Sequence, residues 1–182
     1  LIGSETLNFS GAASNDANVA TANKYFNAFT LADGTNGGLA TNYALPSLTA
    51  ASASNTVTIN PLTLTLNGST VTRAYDGTTA LSDMTLTTSL GQTVTLSNVI
   101  ADSANVGSGN YISAATLNDP NYALPVLNAS TAPVSLTPMS ITLTAPIITK
   151  VYDGGYTYTL SASDLAQMNT QLVGADTVSA AT

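Results

Sequence analysis

The stretch TVTRAYDG, residues 70–77, returns 77 positions later as IITKVYDG, residues 147–154. The echo extends upstream, where LTLTLNGSTVTRAYDG (62–77) aligns with SITLTAPIITKVYDG (140–154). Three further correspondences flank it. NYALPSL (42–48) matches NYALPVL (121–127), and DANVATANKY (16–25) matches DSANVGSGNY (102–111). GSETL (3–7), GQTV (91–94) and GADTV (174–178) form the third set. The offsets differ because the first copy carries about seven extra residues around DGTNGGLAT (33–41). A period of roughly 77 to 85 residues marks modules repeated along a chain. Each period is long enough to bury a small core of its own.

On this reading residues 1–61 are the C-terminal part of repeat 1, residues 62–138 are one complete repeat, and residues 139–182 are the N-terminal part of repeat 3. Similarity fixes the period and leaves the phase open. Modules at 1–90 and 91–173 satisfy the same echo. The chain thus begins within a repeat, so the lack of a signal peptide carries no weight.

Apolar residues make up 44% of the chain and charged residues only 7%, with three Lys or Arg against ten Asp or Glu. Ample, regularly spaced apolar residues argue against disorder. A net charge of −7 argues against nucleic acid and anionic membrane surfaces, which need basic patches. No apolar run approaches the roughly 20 residues that span a bilayer, so no membrane insertion of this segment is expected. Cys and His are both absent. That removes thiol catalysis, disulfides, Cys/His zinc sites and histidine bases together. The acids stand singly along the chain, and no enzyme, metal or cofactor is expected.

Strand signals dominate. LTLTL (62–66) and TVTLS (93–97) alternate Leu or Val with Thr or Ser, as a sheet with one buried face requires. Within the complete repeat the candidate strands are 62–66, 70–75, 84–90, 92–98, 110–117, 122–127 and 133–137. Outside it, TLNFS (6–10), a segment within 18–31 and NTVTIN (55–60) read as strands, with Tyr25 and Phe29 as core. Seven short strands in one period predict an all-β chain of small antiparallel β-sandwich (Ig-like) modules, end to end in an elongated rod. The alternative is a β-grasp-like module with one short helix. SDLAQMNTQL (163–172) supplies that helix, with Asp164 as N-cap, Gln167 three residues on, and Leu165, Met168 and Leu172 on one face. Pro61 and Pro138 each separate two alternating runs and read as stiff junctions, because proline ends a ladder. DGTNGG (33–38) reads as a hairpin loop. Calcium ligation by Asp33 and Asn36 is the alternative, outweighed because a calcium site needs six to eight oxygens and more carboxylates.

In the repeated segment Asp-Gly is a turn dipeptide. A cation stands two residues before the tyrosine in both copies, Arg73 and Lys150. The expected structural motif is therefore Arg73, Tyr75, Asp76 and Gly77, repeated as Lys150, Tyr152, Asp153 and Gly154. Each cation is expected to pair with Asp76 or Asp153, or to cover the ring, and so fix the turn. A Lys150 crosslink to Asn or Asp is the competing idea, and Arg73 at the equivalent position counts against it.

The order [Arg/Lys]-x-Tyr-Asp-Gly (73–77, 150–154), Gly-x-[Asp/Gln]-Thr-Val (91–94, 174–178), Asn-Val-Gly (105–107), Gly-Asn-Tyr (109–111) and Asn-Tyr-x-Leu (121–124) resembles the YDG-type, MBG-related repeats of large bacterial surface adhesins of the filamentous-haemagglutinin-like kind. The likeness runs through nearly the whole chain. It departs where Ala20 stands for Gly107 and where Gly155-Tyr156 stands for Thr78-Thr79. The resemblance implies an extracellular, cell-surface role in adhesion and biofilms. There such repeats serve as stalk or spacer modules that hold an adhesive region away from the cell. Their partners are neighbouring repeats of the same chain. The rival expectation is a module binding host or biofilm glycans or matrix proteins, with Tyr156 and Tyr158 as candidate ligand surface.

Overall fold

The computed structural model describes residues 1–49, 51, 56–68, 70–142 and 144–179. In chain order the strands are β1 (Leu7–Ser14), β2 (Phe26–Asp33), β3 (Leu62–Thr63), β4 (Val71–Ala74), β5 (Met84–Thr87), β6 (Thr93–Ala101), β7 (Ile112–Leu117), β8 (Tyr122–Ala123) and β9 (Val134–Thr137), followed by the helix α1 (Ala162–Asn169). The chain is mostly β, in several small sheets. Its residues group into two compact units: Leu1–Leu64 with Leu117–Leu124, and Thr65–Thr116 with Pro125–Thr182.

In the first unit β1 and β2 form an antiparallel pair from Leu7↔Asp33 to Ser14↔Phe26, with irregular register after Ser10. Phe29 packs against Phe9 and Phe26, with ring centroids 6.5 and 5.0 Å away. Tyr25 and Phe29, expected as core, are only half-buried. A two-stranded ribbon has no second layer to cover its aromatic face. DGTNGG is not a hairpin loop. It follows β2 and folds back on Thr6, whose N–H donates to the Thr35 carbonyl at 3.1 Å. A Cβ at Gly34 or Gly38 would lie 2.1 or 1.9 Å from the Thr6 carbonyl oxygen, so both positions require glycine. Of NTVTIN (55–60), Asn55 lies outside the described residues. Thr56 bridges Tyr25, and 57–60 join no sheet.

All seven strand stretches read in 62–138 contain a strand. Their pairing is mixed rather than antiparallel. β5 and β6 are antiparallel (Met84↔Leu96 to Thr87↔Thr93) in a three-stranded sheet of order β5–β6–β7. β3 with β8, and β4 with β9, are parallel. Parallel pairing needs a long crossover, and the intervening strands supply it. The alternation in β6 holds as read: Val94 and Leu96 are buried, Thr93 and Thr95 exposed. Beyond it Asn98 takes a left-handed φ of 50°, which shifts the phase so that Val99 and Ala101 are the next buried positions. Leu66, Leu96, Val99 and Ile112 are the largest fully buried side chains. Burying each is worth about 1.5–3 kcal/mol.

The helix begins earlier than read. Its N-cap is Ser161, whose Oγ accepts from the Asp164 N–H while the Asp164 carboxylate accepts from the Ser161 N–H at 2.8 Å. Asp164 is thus the N3 partner of a capping box rather than the cap. Leu165 and Met168 are half-buried on the helix, as the spacing predicts, whereas Leu172, also half-buried, lies beyond the helix end at Asn169.

Candidate functional site

Strand β4 hands the chain to the first Tyr-Asp-Gly loop, and the Tyr75 N–H closes the ladder on the Thr137 carbonyl at 2.8 Å. The Asp76 carboxylate then accepts from the N–H and the hydroxyl of Thr78, both at 2.9 Å. Arg73 pairs with Asp76 at 3.0 Å. Its guanidinium also donates to the carbonyls of Thr78, at 2.5 Å, and of Ala80. The cation therefore reaches its own residue plus three, plus five and plus seven. Gly77 sits at φ 77°, where a side chain is strained, and a Cβ there would lie 2.9 Å from Val173 Cγ1.

The second loop repeats this geometry with different atoms. Lys150 pairs with Asp153 at 2.8 Å and donates to the carbonyls of Gly155, at 3.2 Å, and Thr157, at 2.8 Å. Asp153 accepts from the Gly155 N–H at 2.9 Å, and Gly154 has φ 78°. The offsets of three, five and seven recur, and the loop tolerates Gly155 where the first copy has Thr78. Both carboxyls lie below their ordinary pKa. For Asp76 the main cause is the Thr78 N–H, then its hydroxyl, with the charge of Arg73 contributing less. For Asp153 the main cause is the hydrogen bond from Lys150, then the Gly155 N–H.

The third cation, Lys24, escaped the sequence reading. It is 6% exposed and its ammonium donates to the carbonyls of Val19, at 2.9 Å, and Thr21. Its repeat equivalent is Asn110, 7% exposed, which donates to the Asn105 carbonyl at 2.8 Å. Both side chains reach back five residues to close the same loop. The residues closing the other end also correspond. The Tyr25 N–H donates to the Asn15 side chain, and the Tyr111 N–H to the Asp102 carboxylate, each at 2.9 Å. The alignment of DANVATANKY with DSANVGSGNY held the signal, as Lys24 and Asn110 share a column.

The two repeated tyrosines part company. The Tyr75 hydroxyl donates to the Asp176 carboxylate at 2.8 Å, which pushes the phenol pKa up. This pair stands in an open groove of about 470 Å³ whose walls include Val106, Pro138, Met139, Ile141, Leu172 and Val173. Tyr152 is 92% exposed. Pro138 follows β9 directly, and Pro61 stands between 57–60 and β3. Tyr156 is fully exposed. Tyr158 is not a bare ring, since its hydroxyl donates to Asp164 at 3.1 Å and its pKa is raised by that bond.

No group of three or more Asp or Glu placed to hold a metal occurs among the described residues. In the groove one carboxylate and one phenol satisfy each other. The arrangement fixes backbone loops with the chain's three cations. Compared with protein-family models, with curated proteins and with solved structures, the chain matches none.

Proposed function

We propose that the chain is a set of structural stalk or spacer repeats of an extracellular bacterial surface adhesin, built as tandem small β-sandwich modules or as β-grasp-like ones. One observation carries this reading. In the complete repeat β4, its second strand, and β9, its last, are parallel, from Val71↔Val134 to Ala74↔Thr137. Tension enters β4 at its N-terminal end and leaves β9 at its C-terminal end. Those ends lie at opposite ends of a parallel ladder. The load is then a shear that strains every rung together instead of peeling them singly. The use of all three cations to hold loop carbonyls, and of Arg73 and Lys150 to hold the turn carboxylates, supports the same reading.

A second reading, a module binding host or biofilm glycans or matrix proteins, is favoured by one feature: Tyr152 and Tyr156 are 92% and 100% exposed. Exposed phenol rings stack on sugars. A glycan and matrix-protein panel separates the two readings. The spacer is expected to show no specific binding, and Tyr152→Ala with Tyr156→Ala is expected to change nothing. Specific micromolar binding abolished by that double substitution would establish the second reading instead.

A further inference from the structure

The sequence period and the packing divide the chain differently. By sequence, residues 62–138 form one repeat. By packing, two segments of that repeat, 62–64 and Leu117–Leu124, belong to the first compact unit, with the first repeat. Strand β7 of the three-stranded sheet runs directly into the second of these segments, and Pro125 returns the chain to the second unit.

Asn121 holds the excursion in place. Its side-chain Oδ1 accepts from the Val19 N–H at 2.7 Å, and its Nδ2 donates to the Asn18 Oδ1 at 3.2 Å. Its backbone carbonyl accepts from the Leu62 N–H at 2.9 Å, and the Ala123 carbonyl accepts from the Leu64 N–H at 2.8 Å. The Val57 N–H donates to the Lys24 carbonyl at 3.0 Å, so the strand-like run 57–64 touches the first repeat at one end and Asn121 at the other. The turn that presents Asn121 is set locally, because the Asp119 carboxylate accepts from the Asn121 N–H at 2.9 Å across Pro120. Tyr122, the next residue, and Leu64 are each 6% exposed. An amide satisfied at both ends beside buried apolar groups is costly to leave unpaired.

Asn18 and Val19 lie in a different repeat from Asn121 in either phase of the period, 1–61 against 62–138 or 1–90 against 91–173. Both halves of the contact recur in the sequence, Asn18-Val19 as Asn105-Val106 and Asn121-Tyr122 as Asn42-Tyr43. A device that joins successive modules needs both halves in each of them.

We propose that residues 117–124 are a docking tongue seated on the 16–24 loop of the preceding repeat, and that Asn121 couples the folding of the two repeats. In a linear array, stability is the sum of each module's own stability and of its interfaces with its neighbours. The Asn121 contact is such an interface. When the β5–β6–β7 sheet opens, β7 releases the tongue and the 16–24 loop loses its partner. The lock serves a stalk and a binding module alike, and its failure would leave both readings standing.

The test is urea unfolding of the whole chain, followed residue by residue through amide NMR signals. The Asn15 and Val57 amides, which donate to the Tyr25 and Lys24 carbonyls, report the first repeat. The Leu86 and Val94 amides report the β5–β6 ladder. Leu96→Ala, which truncates a fully buried side chain, is expected to lower the midpoint of both sets. Asn121→Ala alone is expected to lower the midpoint of the first-repeat set and leave that of the ladder set. With Asn121→Ala present, adding Leu96→Ala is expected to move only the ladder set, a non-additivity that reports the coupling. Should either variant not fold, Asn18→Ala removes one bond of the same contact at an exposed residue, and Val99→Ala is a smaller truncation in the same core. Asn18→Ala is expected to shift the first-repeat set in the same direction by less. A first-repeat midpoint that ignores the core truncation in the otherwise unchanged chain would overturn the proposal. So would one that ignores the loss of the Asn121 contact, or one that follows the core truncation equally with and without that contact.

Discussion

The two Tyr-Asp-Gly loops have the same sequence frame, and their cations reach the same offsets of three, five and seven residues, yet their surroundings are opposite. After β4 the loop is anchored to a paired strand, its tyrosine meets Asp176, and its glycine lies against Val173. After residues 148–151 the loop keeps the ion pair, the two carbonyl contacts and the turn N–H but has no counterpart of the Thr78 hydroxyl, the segment before it pairs with no strand among the described residues, and its tyrosine is exposed. The loop is a local structure, closed by one cation, one acid and the carbonyls within seven residues. The strand is a non-local one that exists only when a partner lies beside it. The ion pairs therefore shape the turn, while pairing with a strand distant in sequence determines where the ladder forms.

The largest expected contrast comes from the apolar core. Leu96 is fully buried, and Leu96→Ala should cost about 2–5 kcal/mol in urea unfolding. Ile147, 97% exposed, should give a change within about 0.5 kcal/mol on the same substitution. Next is the loop that Lys24 closes. Lys24→Ala leaves two carbonyls without their donor and should cost about 1–3 kcal/mol. Lys24→Asn, the residue the other repeat uses, should recover part of that loss.

Glycine sharpens the comparison between the loops themselves. Gly77 and Gly154 share a left-handed backbone, so Ala at either should cost about 1–2 kcal/mol. Gly77→Ala should be the worse of the two, because only there does the new Cβ meet another side chain, Val173.

The smallest effect is in pH. Asp76 and Asp153 both titrate below the ordinary 3.8, so each contributes stability that is present above that value and is lost as pH falls through the folded value. The amides of Thr78 and Gly155 report the two carboxylates by NMR. Lys150→Gln should move the Asp153 midpoint up more than Arg73→Gln moves that of Asp76. Lys150 is the first cause of one depression, whereas a backbone N–H is the first cause of the other.

Much of this was legible in the sequence, for physical reasons that also mark where legibility stopped. Alternation of Leu and Thr revealed the strands of 62–138, because burial on one face of a sheet imposes a period of two. It led to an antiparallel reading of pairs that are in part parallel, since parallel and antiparallel strands share that period. β4 and β9 lie 60 residues apart in the chain, and nothing local in either specifies the direction of the other. The Arg73–Asp76 and Lys150–Asp153 pairs were readable because they are three residues apart. The Tyr75–Asp176 contact was not, being separated by 101 residues. The helix was placed by its apolar face, but its cap went to Asp164 because that residue satisfies the same spacing rule three positions late. Lys24 was passed over because its counterpart is Asn110. A lysine and an asparagine look unrelated until both are seen to donate a hydrogen bond to the carbonyl five residues back.

The claim that this repeat is built to carry load is tested most directly by stretching single molecules between their termini. The account expects one dominant force peak whose rupture frees the chain held between Val71 and Thr137, on the order of 200 Å of extended length. Ser135→Pro, which deletes a donor in the β4–β9 ladder, should lower that peak clearly while leaving the freed length unchanged. A wild-type chain that extends without a peak of that length, or a Ser135→Pro chain that ruptures at the wild-type force, would contradict it.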